Sequence, residues 1–253
     1  MHVEDGSVRR LTFDRPEVYN AMTADVARDL ADGLAGLDPA EHDAVVLTGE
    51  GEAFSAGGDV EAMAARDETA RESYERVRDT LGRVAERILT APVPVVARVN
   101  GDAIGAGMSL VAASDFAFAA ESARFGATFV NVGLVPDAGG TAILPRLLGL
   151  RTTKDLAFTG RLLDAADAAE ADLVNEAVPD GDLDDRVEAC LATLREQPTE
   201  TIALAKEAIH DNLGRPWRDG LEREAHLQTL AYDTEAHAEG VAAFLEDRDP
   251  EFD

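Results

Sequence analysis

A chain of 253 residues, 45% of them hydrophobic, is long enough for one large core or for a main domain with a smaller second one. Its 50 acidic residues outnumber its 23 basic residues, and the net charge of −27 argues against nucleic acids and anionic membranes as partners. The acids are scattered along every segment, and the lysines are Lys154 and Lys206 alone. We interpret this as the solvated acidic surface of a protein that works in concentrated salt, with an ordinary acidic protein as the alternative.

Cysteine usage and hydropathy point to the cytoplasm. Cys190 is the single cysteine, which excludes an internal disulfide and a cysteine metal cluster. The N-terminal residues MHVEDGSVRR contain no apolar stretch like that of a signal peptide, and the most apolar run, 103–113, is too short to span a bilayer. We therefore expect a cytoplasmic protein without a bound metal and without membrane or nucleic acid partners.

Apolar patterning in chain order predicts alternating strands and helices. Residues 23–37 carry apolar side chains at three- and four-residue spacing behind Thr23, a plausible N-cap. Residues 67–90 predict a second helix, with Tyr74, Val77, Leu81, Val84 and Ile88 facing inward. Short β-rich runs lie before, between and after these helices, at 9–14, 44–48, 93–99 and 116–120. Alternation of this kind is typical of a largely parallel sheet.

After about residue 145 the pattern becomes helical. Five segments carry helical periodicity, at 152–160, 164–174, 183–197, 199–213 and 217–232. We therefore expect an α/β core domain over residues 1–190, followed by a C-terminal helical segment over 191–253.

Two glycine-rich loops follow predicted strands. FSAGGDV (54–60) comes after the strand at 44–48, and NGDAIGAGMSL (100–110) comes after the strand at 93–99, where it opens a short helix. Small residues let backbone N–H groups turn outward, and a helix N-terminus suits a developing anion. Neither the dinucleotide fingerprint nor the P-loop spacing is present. Two such loops predict two N–H groups that converge on one oxygen, as in an oxyanion hole.

Asp137 is the one charged residue of FVNVGLVPDAGGT (129–141). It either caps the helix expected to begin near 139–141 or moves protons. Burial among its apolar neighbours would raise its pKa towards the working pH.

Together these motifs resemble the enoyl-CoA hydratase/isomerase (crotonase) superfamily. The resemblance runs nearly end to end, through 11–22, 51–60, 94–110, 123–126, 133–149 and 240–252. It implies a ClpP/crotonase-like α/β spiral of ββα units with a C-terminal helical segment, an acyl-CoA thioester as ligand, and a homotrimer or a dimer of trimers held by that segment. Coenzyme A would enter as part of the substrate, with no separate cofactor.

The resemblance also implies roles for particular residues. The N–H groups of Gly58 and Ala106 would form the oxyanion hole. The segment 56–61 would line the pocket for the CoA adenine, with Ala56, Asp59, Val60 and Glu61 as its substrate-binding residues. The position of Asp59 within its loop also allows a simpler interpretation, in which its side chain stabilises the loop itself.

Two positions depart from the hydratase pattern. The two glutamates that flank water in hydratases align with Ser109 and Phe129, and neither side chain can replace a carboxylate. We expect both side chains to line the substrate pocket. The alternative, Ser109 as a nucleophile, would require a nearby base, and no histidine of the sequence lies in a recognised motif.

The sequence around Asp137 resembles 1,2-epoxyphenylacetyl-CoA isomerase-like members most closely, where an aspartate occupies this place. The favoured hypothesis is therefore an enoyl-CoA double-bond isomerase with Asp137 as acid and base. The alternatives are an enoyl-CoA hydratase with atypical catalytic residues and, from another class, a non-catalytic acyl-CoA-binding scaffold subunit.

Overall fold

Two β-sheets form the centre of the structure, a computed structural model that describes residues 1–252. Sheet A has the order β1-β2-β3-β5-β7-β10 and is parallel except for β1 against β2. The smaller sheet B has the order β4-β6-β8-β9 and is parallel except for β8 against β9. The strands are β1 (His2–Glu4), β2 (Val8–Phe13), β3 (Ala44–Gly49), β4 (Ala53–Ser55), β5 (Val95–Val99), β6 (Asp102–Ile104), β7 (Phe116–Ala120), β8 (Arg124–Gly126), β9 (Leu163–Asp164) and β10 (Glu176–Val178).

Helices connect the strands and cover both faces of sheet A. Those that precede β9 are α1 (Ala24–Gly33), α2 (Val60–Ala64), α3 (Ala70–Val77), α4 (Arg83–Leu89), α5 (Ala106–Ala113), α6 (Gly140–Leu147) and α7 (Gly149–Thr159). Those that follow it are α8 (Ala165–Glu170), α9 (Leu183–Arg195), α10 (Thr199–Asn212), α11 (Trp217–Tyr232) and α12 (Glu235–Glu246).

Successive turns of the chain place one strand in each sheet and then a helix. The units β3-β4-α2, β5-β6-α5 and β7-β8-α6 repeat this order, which confirms the expected spiral of ββα units. The four long runs predicted as strands correspond to β2, β3, β5 and β7. The strands of sheet B were missed because two or three residues are too few to show an alternating pattern.

Alternating side chains of sheet A build two apolar layers. In β3, Val45 and Leu47 face the main core, which includes α1, α4 and α5. Their neighbours Ala44 and Val46 face the opposite layer, which α9 covers with Val187 and other apolar residues. Strands buried on both faces are typical of a parallel sheet.

The predicted helix at 23–37 is α1, and Thr23 is its N-cap: the Thr23 side chain accepts a hydrogen bond from Val26 N at 3.3 Å. Leu30 and Leu34 are buried as expected. The helix ends at Gly33, before the predicted end at residue 37.

The single helix predicted over 67–90 is wrong in its details. A π-helical turn at Arg78–Gly82 separates α3 from α4. Val84 and Ile88, after the turn, are buried, but Tyr74, before it, is 66% exposed and Val77 is exposed as well. A π turn adds a residue to the helical repeat and rotates the face that precedes it, so the stripe read from the sequence does not continue through the turn.

The C-terminal half is mostly helical as predicted, with α12 in addition. Two short strands there, β9 and β10, were not predicted, and the helix expected over 164–174 is α8, which ends at Glu170. Residue 190, the expected domain boundary, lies inside α9, whose Cys190 and Leu191 pack in the apolar layer of sheet A. Beyond α9, the buried ammonium of Lys206 fastens α10 to the core. None of the helices in residues 1–252 combines the length and the apolar composition that a bilayer-crossing segment requires.

Candidate active site

A cavity of about 220 Å³ brings together residues from four separate parts of the chain. It lies between the start of α1, the Gly58 loop with α2, the α3 helix with its π turn, and the segment before α6. Its wall is mostly apolar, with three ionisable side chains. The lining residues are Met22, Thr23, Ala24, Ala27, Gly58, Met63, Arg66, Arg76, Val77, Thr80, Leu81, Leu134, Val135 and Asp137.

The loop that carries Gly58 is held by hydrogen bonds on either side of it. Gly57 has a φ of +85°, its N–H donates to Ser55 Oγ at 3.1 Å, and its carbonyl accepts from Met22 N at 2.7 Å. Asp59 N donates to Met22 O at 3.0 Å. Within residues 1–252 the N–H of Gly58, between these anchored neighbours, makes no backbone hydrogen bond and remains available to a ligand.

The second glycine-rich loop packs directly against the first. Gly105 has a φ of +56° and is the N-cap of α5, so Ala106 is the first helical residue. A Cβ on Gly57 would lie 2.6 Å from Ile104 O and 3.1 Å from Ala106 N. The structure therefore brings the two predicted loops together. Ala106 itself is buried and is not among the lining residues, so the joint action of the two N–H groups on one substrate oxygen stays a prediction.

Asp137 lines the same cavity as Gly58 and does not cap α6. The N-cap of α6 is Gly139, with a φ of +85°, and no side chain makes a cap hydrogen bond there. The helix-cap interpretation of Asp137 is therefore wrong. Two consecutive residues with positive φ, Ala138 and Gly139, separate the carboxylate from the first turn of the helix. Asp137 Oδ1 is buried and has no hydrogen-bond partner within the described chain.

The surroundings of Asp137 raise the pKa of its carboxyl above the ordinary value. Burial is the largest cause, and it outweighs the opposing effects of the residue's own backbone N–H and of the positive charge on Arg76. The burial expected from the sequence is present in part: Asp137 is half-buried with one buried oxygen, and Leu134 and Val135 beside it are exposed. A raised pKa makes the ionised carboxylate a stronger base, which suits it to proton exchange.

Ser109 and Phe129, which occupy the positions of the hydratase glutamates, lie in the interior. Both are buried, and neither lines the cavity described above. Ser109 Oγ has no hydrogen-bond partner in residues 1–252, so no base stands beside it to make it a nucleophile. It lies against Gly140, where a Cβ would approach it to 2.7 Å. Substrate contact by Ser109 or Phe129 stays a prediction.

The segment 56–61 is a surface turn into α2. Ala56, Val60 and Glu61 are exposed, as a docking segment requires, but their contact with the CoA adenine stays a prediction. Asp59 is the N-cap of α2: its carboxylate accepts hydrogen bonds from Ala62 N and Arg15 Nη1, both at 2.9 Å, which lower its pKa. The interpretation of Asp59 as a brace of its own loop is confirmed.

Sequence reasoning missed the basic side of the cavity. Arg66 follows α2 and Arg76 lies on α3, and both line the cavity together with Gly58 and Asp137. Neither belongs to a glycine-rich or otherwise recognisable motif, so no local signal distinguishes them from surface arginines. Across residues 1–252 no group of three or more His, Cys, Asp or Glu side chains is arranged to hold a metal ion.

Comparisons with known proteins agree with this architecture. The family model described as enoyl-CoA hydratase/isomerase matches residues 4–253. A protein of Rhodobacter capsulatus named "Probable enoyl-CoA hydratase" is 39% identical over 96% of this chain and 93% of its own length. The 1,2-epoxyphenylacetyl-CoA isomerase of Escherichia coli is 36% identical over 99% of this chain and 96% of its own length. The crystal structure of an enoyl-CoA hydratase from Bacillus anthracis superposes with a TM-score of 0.91 at 31% identity, covering 99% of this chain and 98% of the other. The chain is a member of the enoyl-CoA hydratase/isomerase family and has the crotonase fold.

Proposed function

We propose that this protein is an enoyl-CoA double-bond isomerase in which Asp137 is the acid and base. One observation carries the proposal: the Asp137 carboxylate has a buried oxygen without a partner, lines the same cavity as Gly58, and does not cap the following helix. A half-buried carboxylate with a buried oxygen that has no hydrogen-bond partner is costly to the fold, and such groups are characteristic of functional sites.

The proposed reaction is a 1,3-proton shift on a 3-enoyl-CoA. The ionised Asp137 removes a proton from the carbon next to the thioester carbonyl, and the resulting enolate oxygen accepts hydrogen bonds from the N–H groups of Gly58 and Ala106. The protonated Asp137 then returns the same proton two carbons further along, and the double bond comes to lie next to the thioester. No atoms are gained or lost, so one carboxyl group is sufficient.

Hydration is the second candidate, because relatives such as the Rhodobacter capsulatus protein are named as hydratases. A hydratase must activate a water molecule. Ser109 and Phe129, at the positions of the two hydratase glutamates, have no carboxylate to do so, and both are buried away from the cavity. A hydratase here would therefore have to use Asp137 or groups outside the usual pair.

The test is incubation of the purified protein with 3-hexenoyl-CoA in concentrated KCl, with products separated by chromatography and identified by mass. Wild type, Asp137→Asn and the control Asp29→Asn, an exposed aspartate of α1, are compared. We expect an isobaric 2-enoyl product from wild type and control, and a loss of about 10²- to 10⁴-fold in Asp137→Asn.

Two outcomes would contradict the proposal. A product heavier by one water from 2-hexenoyl-CoA, formed equally by Asp137→Asn while 3-hexenoyl-CoA stays unchanged, would establish hydration through other groups. Binding of acyl-CoA without turnover of any enoyl-CoA, unchanged in the variant, would support the scaffold alternative.

We also propose that the protein assembles as a trimer or a dimer of trimers through its C-terminal helices. Large apolar side chains on α11 and α12 are exposed in the single chain, among them Trp217 at 69%, Phe244 at 85% and Leu245 at 78%. Exposed apolar surface of this size favours a protein contact. Sedimentation equilibrium should give three or six times the mass of one chain, whereas a monomer would contradict the assembly.

A further inference from the structure

Three ionisable side chains line the candidate active-site cavity: Arg66, Arg76 and Asp137. Of the two cations, Arg76 is neutralised by an ion pair within the protein. Arg76 Nε donates to both carboxylate oxygens of Glu68, at 2.9 and 3.0 Å, and Ser73 Oγ donates to the same carboxylate at 3.0 Å. The side chains of Arg76 and Glu68 are largely shielded from solvent. This ion pair fixes Arg76 and leaves no charge to be balanced there.

Arg66 has no such acid. Within residues 1–252 its guanidinium makes no ion pair and no hydrogen bond, although acids outnumber bases two to one and most other arginines of the chain are paired. It is half-buried, and both burial and the adjacent positive charge of Arg76 lower its pKa. Glu68 and Asp59 act on Arg66 at longer range and oppose this shift, but neither forms an ion pair with it. A guanidinium stays protonated in a protein, so the cavity wall carries one cation that no direct ion pair holds.

The carboxylate of Asp137 does not compensate this charge. It is the acid among the lining residues, but its buried Oδ1 has no hydrogen-bond partner in the described chain, and no ion pair joins it to Arg66. A partly desolvated cation that is held in no ion pair is unfavourable in the free protein and becomes favourable when an anion binds.

We propose that Arg66 binds a carboxylate on the acyl group of the substrate, so that the protein acts on acyl-CoA thioesters that carry a second, free carboxylate. This inference rests on the proposed function, since it places the acyl group in the cavity of Asp137. The planar fork of a guanidinium matches a carboxylate in a bidentate manner. The same fork would also match a phosphate of CoA, but Arg66 lies in the cavity that contains the proposed base and Gly58, where the acyl carbons must react.

The test measures binding, not turnover. Calorimetric titrations in KCl compare matched saturated thioesters that differ by the terminal carboxylate alone: adipoyl-CoA against hexanoyl-CoA, with the corresponding five- and four-carbon pairs. The proteins are wild type, Arg66→Gln and the matched control Arg83→Gln, an exposed arginine of α4 without an ion pair. We expect wild type to bind at least one carboxylated member about 10-fold or more tightly than its partner, Arg66→Gln to lose that preference, and Arg83→Gln to keep it.

Two results would overturn the inference. One is equal affinity of wild type for both members of every pair. The other is an equal loss of affinity for both members in Arg66→Gln, which would indicate contact with a CoA phosphate common to all the probes. Arg66→Lys, which keeps the charge but not the fork, is expected to retain part of the preference.

The outcome is separable from that of the proposed function because saturated thioesters are not isomerised. A carboxylate preference in a protein that fails to isomerise 3-enoyl-CoA would retain the anion site and reject the isomerase. Isomerisation without any carboxylate preference would support the isomerase and reject the anion site.

Discussion

Gly57 lies so close to Ile104 that a methyl group on its Cα would come within 2.6 Å of the Ile104 carbonyl oxygen. This contact joins the two glycine-rich loops and sets the separation between the Gly58 and Ala106 N–H groups. Gly57 also has a φ of +85°, which side chains rarely adopt. Glycine is therefore required at this position for two reasons, the backbone conformation and the close contact.

We expect Gly57→Ala to lower kcat by about 10²-fold or more, because the loops must separate and the two proposed oxyanion donors lose their geometry. Gly36→Ala is the matched control: Gly36 also has a positive φ, +64°, but a Cβ there would meet no heavy atom of the described chain within 4 Å. Gly36→Ala should lose about 1 kcal/mol of unfolding free energy and keep its kcat. Steady-state kinetics and urea unfolding, measured on both variants, separate a loss of kcat from a loss of stability. Equal kcat values in the two variants would show that the contact has no catalytic role.

Asp137→Asn should be less active but more stable than wild type at neutral pH. Burial raises the pKa of Asp137 in the folded protein, so the ionised form is favoured in the unfolded chain. The unfolded state then binds fewer protons than the folded state, and stability falls as pH rises through the folded pKa. Asparagine removes this cost.

The corresponding measurement is Tm as a function of pH for both proteins. The stability advantage of Asp137→Asn should be largest above the folded pKa and should shrink to nothing below pH ~3.9, the ordinary aspartate value, where both states are protonated. A constant difference in Tm across this range would mean that titration of Asp137 is not its cause.

The two lysines of the chain should differ sharply in their contribution to stability. Lys206 is buried and donates to Asp115 Oδ2 at 2.6 Å, Ile88 O at 2.8 Å and Val93 O at 3.3 Å, so all three of its protons are used. Lys206→Ala should cost about 3–5 kcal/mol of unfolding free energy, because Asp115 is left as a buried charge without its cation.

Lys154 supplies the control for that experiment. It is exposed on α7, and Lys154→Ala should change the free energy of unfolding by less than about 0.5 kcal/mol in the same urea titration. Similar losses in the two variants would contradict a special role for the buried ion pair.

Salt should stabilise the protein if the acidic surface is an adaptation to salt. At 1 M KCl the Debye length is about 3 Å, so repulsion within a chain of net charge −27 is largely screened. We expect Tm to rise steadily from 0.1 to 3 M KCl. Sucrose of equal osmolality is the control for solute exclusion, and a Tm that does not respond to KCl would favour an ordinary acidic protein.

The strands of sheet A with long apolar runs and the first helix were predictable from the sequence because their signals are local, whereas the spiral of ββα units was expected from the family resemblance. Long apolar strands, the Thr23 cap and the two glycine-rich loops appear as runs of adjacent residues, and each corresponds to an element of the structure. The strands of sheet B and the π turn at 78–82 were not predictable. Very short strands are stabilised by pairing with distant segments, and a π turn changes the helical repeat that periodicity assumes.

The sequence by itself determined the family, the strand-and-helix order, and the candidates Gly58, Ala106 and Asp137. The tertiary structure alone decided between the two interpretations of Asp137, since a cap and a free carboxylate have the same local sequence and differ in where the helix begins. It alone placed Arg66 and Arg76 on the wall of the same cavity and left Arg66 without an acid. Whether a charge is paired depends on how the chain around it folds, because Arg76 on α3 meets Glu68 ahead of that helix, while Arg66, nearer to Glu68 in sequence, forms no ion pair in the described residues.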